Sequence, residues 1–340
     1  MAKIAIVGAS GKLGGATLAA LLTHKLAPPA DIVALTSSTP DSQTWAKLAA
    51  TGAQVRHARF EAPATFARAL EGVERFFLVS TPNIALDFGV AMDFDGTATA
   101  ADAAAGNRGR ESHHKGAIDA AVGAGVKWIV YSSLAYAFSP SAGEGGVGST
   151  SKAGVMRAHL RTEAYLRALD GSVDVTILRE GLYNESWPLY LGSYDAGHAR
   201  GERDVVPLAG DGGISWSAIH DLGVASALVL ASGDGEFVGR TFYLSTRPAT
   251  AKTVAEIARL VGKARGREVE VKIVGRQEHE RYYVEERGMP RPNVEWWAGT
   301  YEALEAGEAL VDDPMLEKLL DRVGLKPISV EETVATMVKG

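Results

Sequence analysis

Short apolar runs of strand length alternate with segments of helical periodicity through the first half of the chain. Six runs are predicted as strands, at 3–9, 31–37, 54–60, 75–81, 127–133 and 173–179. Four segments between them place apolar residues on one helical face, at 16–26, 41–52, 63–73 and 111–126. This alternation is typical of a parallel sheet covered by helices on both faces. We therefore predict an α/β fold built on a doubly wound parallel sheet.

The pattern loosens in the second half, where short elements carry most of the tryptophans. We predict a cofactor-binding domain over 1–180 and a smaller, interleaved α/β lobe over 181–340 that mainly binds substrate. About 214–246 of the second part is expected to return to the first domain. One helix is predicted to begin at Asp221, taken as its N-cap, and another to span 253–266.

Two glycine-rich segments interrupt the rhythm, at 82–110 and 139–151. The first is far longer than the short turns usual in such folds, and we interpret it as an active-site lid or a partner epitope. The second follows a predicted strand, and loops at the carboxyl ends of parallel strands line the ligand crevice. We expect both segments to form mobile rims of a cleft.

Composition narrows the function classes. The chain is 46% apolar, carries a net charge of −6 and has no cysteine, which excludes disulfides, thiolate nucleophiles and zinc–thiolate clusters. No basic block indicates direct nucleic-acid contact, and the first apolar run is too short for a signal or membrane span. His113 and His114 diverge on a helix, so we read them as the start of a solvated helix and predict no metal site. We expect a cytoplasmic monomer or homodimer without membrane contact.

The most specific motif, GASGKLGG at 8–15, follows the first strand and opens a helix. Glycines at such a turn leave backbone N–H groups free to bind a phosphate, which the helix dipole also favours. The GxxGxxG spacing is typical of short-chain dehydrogenases, and Leu13 after Lys12 excludes an ATPase P-loop. A tight turn without a ligand is the alternative. The predicted cofactor contacts in this Rossmann-type motif are Gly8, Ser10, Gly11, Lys12, Leu13 and Gly14.

The residues after the second strand bear on the choice of dinucleotide. An acidic residue there selects NAD, whereas an arginine accepts the 2′-phosphate of NADP. Thr36, Ser37 and Ser38 are neither, but hydroxyls hydrogen-bond a phosphate without repelling it. We therefore favour NADPH, with NADH not excluded. Arg59 and Phe60 after the third strand are further candidate contacts, although Arg59 could equally be an uninvolved surface arginine.

No tyrosine has a lysine four residues later, so the usual short-chain catalytic pair is absent. His159 is the first catalytic candidate, with packing or binding of the cofactor's ribose as the alternative. Glu163, one helical turn away, is expected to orient or charge its ring. Tyr136 and Tyr183 are weaker candidates that could instead be pocket walls. Ser132 and Ser133 end a strand and are expected to hydrogen-bond the cofactor or substrate, or to cap the strand. A second set of candidates rests on a resemblance.

The chain resembles the NmrA-like family of atypical short-chain dehydrogenases over nearly its whole length. The resemblance is carried by VGASGKLG, GAQVRH, LEGVERFFLVSTP, HHKGAIDAAVGAGVKWIVYSSL, HLRTEAYL, ILREGLYNE and AIHDLGVASALVL. It implies that the nicotinamide pocket is flanked by His159, Thr162, Glu163 and Tyr183. It also implies that the cofactor is contacted by Ser80, Thr81 and Pro82. The family's frequent arginine after the second strand is Thr36 here, and the 82–110 segment is longer than in close relatives.

The leading interpretation is an NADPH-dependent oxidoreductase that transfers hydride to a quinone-like or other conjugated small aromatic molecule. Such acceptors need little acid catalysis, so binding and orientation carry most of the chemistry. One alternative is a reductase of ketones, imines or benzylic ethers of the isoflavone-reductase type, although Val155 stands where those enzymes carry a lysine. The other is a redox-sensing regulator that binds NAD(P) without turnover.

Overall fold

The computed structural model describes residues 2–88, 109–169, 171–197, 202–233 and 235–339. Most of the predicted lid or partner epitope, over 89–108, lies outside the described residues.

Seven parallel strands form the central sheet, in the order β3-β2-β1-β4-β5-β6-β9. The six predicted strands are confirmed as β1 to β6, and a seventh joins β6 at the edge. Two small two-stranded sheets pair β7 with β11 and β8 with β10. The strands are β1 Ile4–Val7, β2 Ile32–Thr36, β3 Gln54–His57, β4 Arg75–Val79, β5 Trp128–Leu134, β6 Asp174–Glu180, β7 Val205–Leu208, β8 Gly213–Ile214, β9 Thr241–Leu244, β10 Lys252–Thr253 and β11 Glu270–Ile273.

Helices cover both faces of the sheet and build most of the second half. The four helices predicted in the first half are confirmed as α1 to α4. The helices are α1 Lys12–Thr23, α2 Gln43–Ala49, α3 Ala64–Ala69, α4 Glu111–Gly123, α5 Met156–Arg167, α6 Trp187–Tyr190, α7 Ile219–Ala231, α8 Val254–Arg265, α9 Arg276–Arg281, α10 Arg291–Glu305, α11 Met315–Asp321 and α12 Val330–Lys339. A π-helical turn, Tyr282–Glu286, follows α9. In the ranges that the structure describes, no helix is long and apolar enough to cross a membrane.

The core has separate parts on the two sides of the sheet and in the second half. One cluster packs β1 and β2 side chains against α1 and α7, and another packs the opposite face against α3 and α4. Strands buried on both faces explain why β1 and β2 are continuous apolar runs. A third cluster, around Trp187, Trp216 and Tyr301, joins α6, α8 and α10.

The strand order places a crevice between β1 and β4. Strands β2 and β3 lie on one side of β1, and β4, β5 and β6 follow on the other, so the strand order reverses between β1 and β4. Ligands of such sheets bind at the carboxyl ends of the strands at this switch point. Parallel pairing aligns Val79 of β4 with Ser132 of β5, and Ser133 with Arg179 of β6. The ends of β4, β5 and β6 therefore bring their polar residues to one edge.

The two helix starts predicted in the second half have different outcomes. Thr253 caps α8 in a capping box with Glu256, and Gly266 ends that helix in the left-handed region at φ 75°, so this helix is confirmed. The prediction that Asp221 caps α7 is wrong, because Ala218 is the N-cap and Asp221 lies inside the helix. The buried Asp221 carboxylate instead accepts the backbone N–H of Ile328 at 2.6 Å, which ties the C-terminal segment to α7.

Candidate active site

The glycine loop between β1 and α1 has the geometry that a phosphate needs. Gly8 has φ 67°, a conformation that favours glycine, and its carbonyl accepts the N–H of Gly11 at 2.7 Å. A Cβ at Gly14 would overlap that same carbonyl and lie 3.0 Å from the oxygen of Val7. Gly11 is the N-cap of α1 and supplies no side-chain hydrogen bond, so N–H groups of the first turn stay open to a ligand. The residues present therefore fit a dinucleotide phosphate.

Hydroxyl groups surround the end of β2 beside this loop. Ser10 Oγ lies 3.4 Å from Thr36 Oγ1, which also accepts the backbone N–H of Ser38 at 3.2 Å. The carbonyl oxygen of Ser38 is 3.2 Å from His57 Nδ1, a neighbour that sequence analysis missed. Ser37 is exposed at the strand end. The structure thus brings the predicted loop and the predicted hydroxyls together.

The remaining predicted cofactor contacts differ in exposure. Lys12 and Pro82 are exposed, whereas Leu13 is buried in the core, so only its backbone can face a ligand. Arg59 is half exposed and lies 3.5 Å from a carboxylate oxygen of Glu61. The ring of Phe60 stacks on the imidazole of His113 in α4, at 5.9 Å between ring centroids.

Ser80 and Thr81, at the end of β4, contact a buried histidine. His114 is fully buried, so the prediction that it starts a solvated helix is wrong. Its Nε2 accepts the backbone N–H of Thr81 at 3.2 Å and lies 3.1 Å from Ser80 Oγ, and its Nδ1 lies 2.8 Å from Thr162 Oγ1. Burial and the charge of Arg110 hold the pKa of His114 well below its usual range. His114 is therefore a neutral member of the site's hydrogen-bond network.

His159 is almost fully buried and is paired with a tyrosine. Its Nδ1 lies 2.9 Å from Oη of Tyr131, a fully buried residue of β5. Burial, and then the charge of Arg110, hold the pKa of His159 well below its usual range, so the ring is neutral. The expectation that Glu163 orients or charges His159 is wrong, because Glu163 binds other groups.

The Glu163 carboxylate is held by Arg179 of β6. Arg179 Nε donates to Oε1 at 3.0 Å and Nη2 to Oε2 at 2.8 Å, while Ser133 Oγ donates to Oε1 at 2.6 Å and Arg167 to Oε2 at 2.9 Å. Burial alone would raise the pKa of Glu163, but the two arginines and the Ser133 hydroxyl outweigh it and lower that pKa. The Ser133 hydroxyl, expected to contact cofactor or substrate, is thus engaged inside the protein.

Glu180, the last residue of β6, is a buried carboxyl that sequence analysis missed. Ser226 Oγ lies 3.3 Å from Oε1, Tyr183 Oη lies 3.5 Å from Oε2, and Ser132 also donates to the carboxyl. No cation of the described residues forms an ion pair with it. Burial therefore raises the pKa of Glu180 to about 8. Two predicted site residues, Ser132 and Tyr183, meet at this group.

Tyr136 lies among aromatic residues of the second half. It is fully buried, and its hydroxyl donates to Tyr190 Oη at 3.5 Å. Burial raises the pKa of Tyr136 well above its usual value, as it does for Tyr183. Both phenols therefore keep their protons at neutral pH.

An ion cluster of Asp87, Arg110 and Arg157 connects residues near the two ends of the 82–110 segment. Asp87 Oδ1 accepts the backbone N–H of Arg110 at 2.9 Å, and Oδ2 accepts Arg110 Nε at 2.8 Å. Arg157 from α5 lies 3.7 Å from Asp87. Arg110 also donates to Ser80 Oγ at 3.4 Å, which places its charge beside the histidine network. This cluster, too, was absent from the sequence-based candidates.

The glycines of the 139–151 segment have packing roles. A Cβ at Gly146 would overlap the ring of Phe138, and one at Gly148 would lie against the carbonyl of Ala137. The carbonyl of Gly148 accepts Arg179 Nη2 at 2.8 Å, which attaches the segment to the edge of β6. Gly148 is required by close approach alone, whereas Gly146 also has φ 64°, a left-handed conformation that favours glycine.

A parallel sheet of this order, with a glycine turn leading from β1 into a helix N-terminus, defines a Rossmann-type fold. The model of the NmrA-like family matches residues 1–302, and the chain belongs to that family, which confirms the resemblance found in the sequence.

Three relatives show how far the likeness extends. An NmrA-like family domain-containing oxidoreductase of Aspergillus flavus is 28% identical over 95% of this chain and 91% of its own length. Quinone oxidoreductase 2 of Escherichia coli is 30% identical over 78% of this chain and 76% of its own. The structure of that enzyme with NADPH superimposes with a TM-score of 0.72 over 98% of this chain and 99% of its own. The triphenylmethane reductase of Citrobacter sp. gives a TM-score of 0.71 at 25% identity, over 99% and 100% of the chains.

Proposed function

We propose that the chain is an NADPH-dependent reductase that transfers hydride to quinone-like or other conjugated small molecules. The observation that carries the proposal is the glycine loop, whose free N–H groups adjoin the hydroxyls of Ser10 and Thr36. Its relatives include an NADPH-dependent quinone oxidoreductase. NADPH, when bound, supplies a hydride from its nicotinamide ring.

The chain's own residues would bind and orient the reactants. The first turn of α1 holds the dinucleotide phosphates. The end of β4 brings Ser80 and Thr81 toward the reacting end, and α5 brings His159. His159 is buried and neutral, so it can donate a hydrogen bond to a developing oxyanion without the cost of burying a charge. We also propose that 1–180 and the returning segment 214–246 hold the cofactor, while the rest of 181–340 covers the substrate.

A cofactor titration followed by an acceptor screen tests this function. Purified protein should bind NADPH, with NADH weaker, and should oxidise NADPH with members of a panel of quinones and conjugated carbonyls. The variant His159→Ala should slow turnover more than it weakens NADPH binding. His279→Ala, which removes an equally buried imidazole bound to the carbonyl of Pro207, controls for general destabilisation.

The alternatives correspond to distinct outcomes of the same experiment. Turnover of benzylic ethers or imines, with quinones inert, would move the chain to the isoflavone-reductase type of chemistry. Tight NADPH binding without turnover on the whole panel would make the chain a cofactor-binding regulator. Failure to bind either dinucleotide would overturn both the reductase and the regulator functions.

A further inference from the structure

The hydrogen bonds around His114 determine where its proton lies. The backbone N–H of Thr81 donates to Nε2 at 3.2 Å, so that nitrogen is an acceptor. A neutral imidazole carries one proton, which must therefore be on Nδ1 and points to Thr162 Oγ1 at 2.8 Å. The Thr162 hydroxyl in turn donates to the carbonyl of Ala158 at 2.7 Å. His114 is thus fixed in its Nδ1–H form.

This assignment carries over to Tyr131 and His159. The Tyr131 hydroxyl is fully buried, so its proton needs an acceptor. His114 Nδ1, at 3.4 Å, already carries a proton and cannot accept. Thr162 Oγ1 accepts the His114 proton and keeps a second lone pair, so it is the competing acceptor for Tyr131. The short distance of 2.9 Å to His159 Nδ1 favours that nitrogen as the acceptor. The ring of His159 then carries its single proton on Nε2.

We propose that Tyr131 is a positioning residue that holds His159 in the Nε2–H form, so that the site presents a fixed hydrogen-bond donor and prefers electrophiles with a carbonyl oxygen. This proposal rests on the proposed reductase function. In the described part of the chain, no group forms a hydrogen bond with His159 Nε2. A quinone or enone oxygen would supply the acceptor that this N–H lacks.

The donor matters because of where charge develops. Addition of hydride to a quinone ring moves an electron pair onto the quinone oxygen, and a proton from water completes the hydroquinone. A neutral Nε2–H stabilises that oxyanion without itself losing a proton. A cationic triphenylmethane dye accepts hydride at carbon and forms no oxyanion, so it gains nothing from the donor. The fixed ring form is therefore a specificity device.

Nitrogen-15 NMR of the histidine side chains tests the ring form without any turnover. The cofactor-free protein should show His159 as Nε2–H at neutral pH, assigned by loss of its signals in His159→Gln. In Tyr131→Phe the Nδ1 nitrogen loses its donor, and the signals should move toward a mixture of the two forms. An Nδ1–H or imidazolium form in the wild type, or unchanged signals in Tyr131→Phe, would overturn the proposal.

Kinetics supply the second test. Loss of one such hydrogen bond should lower kcat for a quinone about tenfold in Tyr131→Phe, while NADPH affinity and reduction of a cationic dye stay nearly unchanged. His159→Gln places an amide N–H near the Nε2 position and should retain about tenfold more quinone activity than His159→Asn. The comparison of these two His159 variants tests the proposal even if Tyr131→Phe does not fold. Equal losses of kcat for the quinone and the dye in Tyr131→Phe contradict the proposal. NADPH binding without any turnover contradicts the reductase function instead, and the NMR result then decides the ring form of His159.

Discussion

Glu163 and Arg179 form a two-point ion pair between α5 and β6, and both side chains are almost completely buried, at 0% and 1% exposure. Arg179 also donates to Tyr243 Oη at 2.9 Å and to the carbonyl of Gly148. One guanidinium thus holds a helix, a strand and the 139–151 segment at the edge of the sheet. The pair is part of the support behind the site.

Glu163 pairs with two arginines, the buried Arg179 and the half-exposed Arg167. Removing Arg179 should lower the free energy of unfolding far more than removing Arg167. Arg179→Met leaves the buried Glu163 carboxylate with the half-exposed Arg167 as its charge partner and should lower the free energy of unfolding by about 3–5 kcal/mol. Arg167→Met breaks a contact to the same carboxylate from a side chain that is 48% exposed, and should cost about 1 kcal/mol or less. Urea unfolding of both variants measures the difference. Similar losses would show that burial does not decide the strength of these contacts.

Glu180 should make stability depend on pH in the direction opposite to that of most carboxylates. Its pKa is 4.5 in the unfolded chain and about 8 in the folded protein. Between these values the folded state binds more protons, so stability falls as the pH rises. Glu180→Gln should therefore gain stability relative to wild type from pH 5 to pH 8, by up to several kcal/mol. Unfolding at pH 5, 6.5 and 8 measures the gap.

An exposed carboxyl provides the control for this effect. Glu278 lies exposed on α9, and Glu278→Gln should follow the wild-type pH dependence. If Glu180→Gln also runs parallel to wild type across this range, the folded protein does not hold Glu180 protonated.

The features that sequence predicted best are local ones. The glycine loop and strands β1 to β6 depend on neighbouring residues, such as the need for glycine at Gly8 and Gly14, and these patterns are visible in a short window. The partner of Glu163 was misassigned because the i,i+4 rule considers only its own helix. Arg179 comes from a strand, and its approach is set by the sheet.

The missed residues share a physical cause. His114, Tyr131 and Glu180 were not candidates because a polar residue in an apolar element signals burial only when its distant partner is known. His114 meets Thr81 and Thr162, which lie 33 and 48 residues away. The available hint was that β5 carries Ser132 and Ser133 near its carboxyl end, and β6 ends in Glu180, although these parts of the strands are buried. Sequence could mark that edge as a site without assigning its pairs.

Gly14→Ala should weaken cofactor binding through a displaced backbone. The added Cβ would overlap the Gly8 carbonyl, and a fixed backbone atom cannot move aside as a flexible side chain can. We expect NADPH affinity to fall more than about tenfold, because the N–H groups of the first turn shift away from the phosphate. Gly123→Ala, at the end of α4, meets no atom within 4 Å and should bind NADPH as wild type does. Fluorescence titration of NADPH compares them, and equal affinities would exclude the loop as the phosphate site.

Selection between NADPH and NADH should reside at the ends of β2 and β3. Ser37→Asp places a negative charge beside Thr36 and should weaken NADPH binding about tenfold or more while leaving NADH binding nearly unchanged, because only NADPH carries the 2′-phosphate.

Arg59→Ala should weaken NADPH binding selectively if its guanidinium reaches that phosphate. Arg291→Ala is the matched control, since Arg291 is 55% exposed and lies 3.6 Å from Glu295, much as Arg59 is 52% exposed and lies 3.5 Å from Glu61. Kd ratios for the two cofactors measure the outcome. A ratio unchanged in Ser37→Asp would place the 2′-phosphate elsewhere, and equal effects of the two arginine variants would reduce Arg59 to a surface charge.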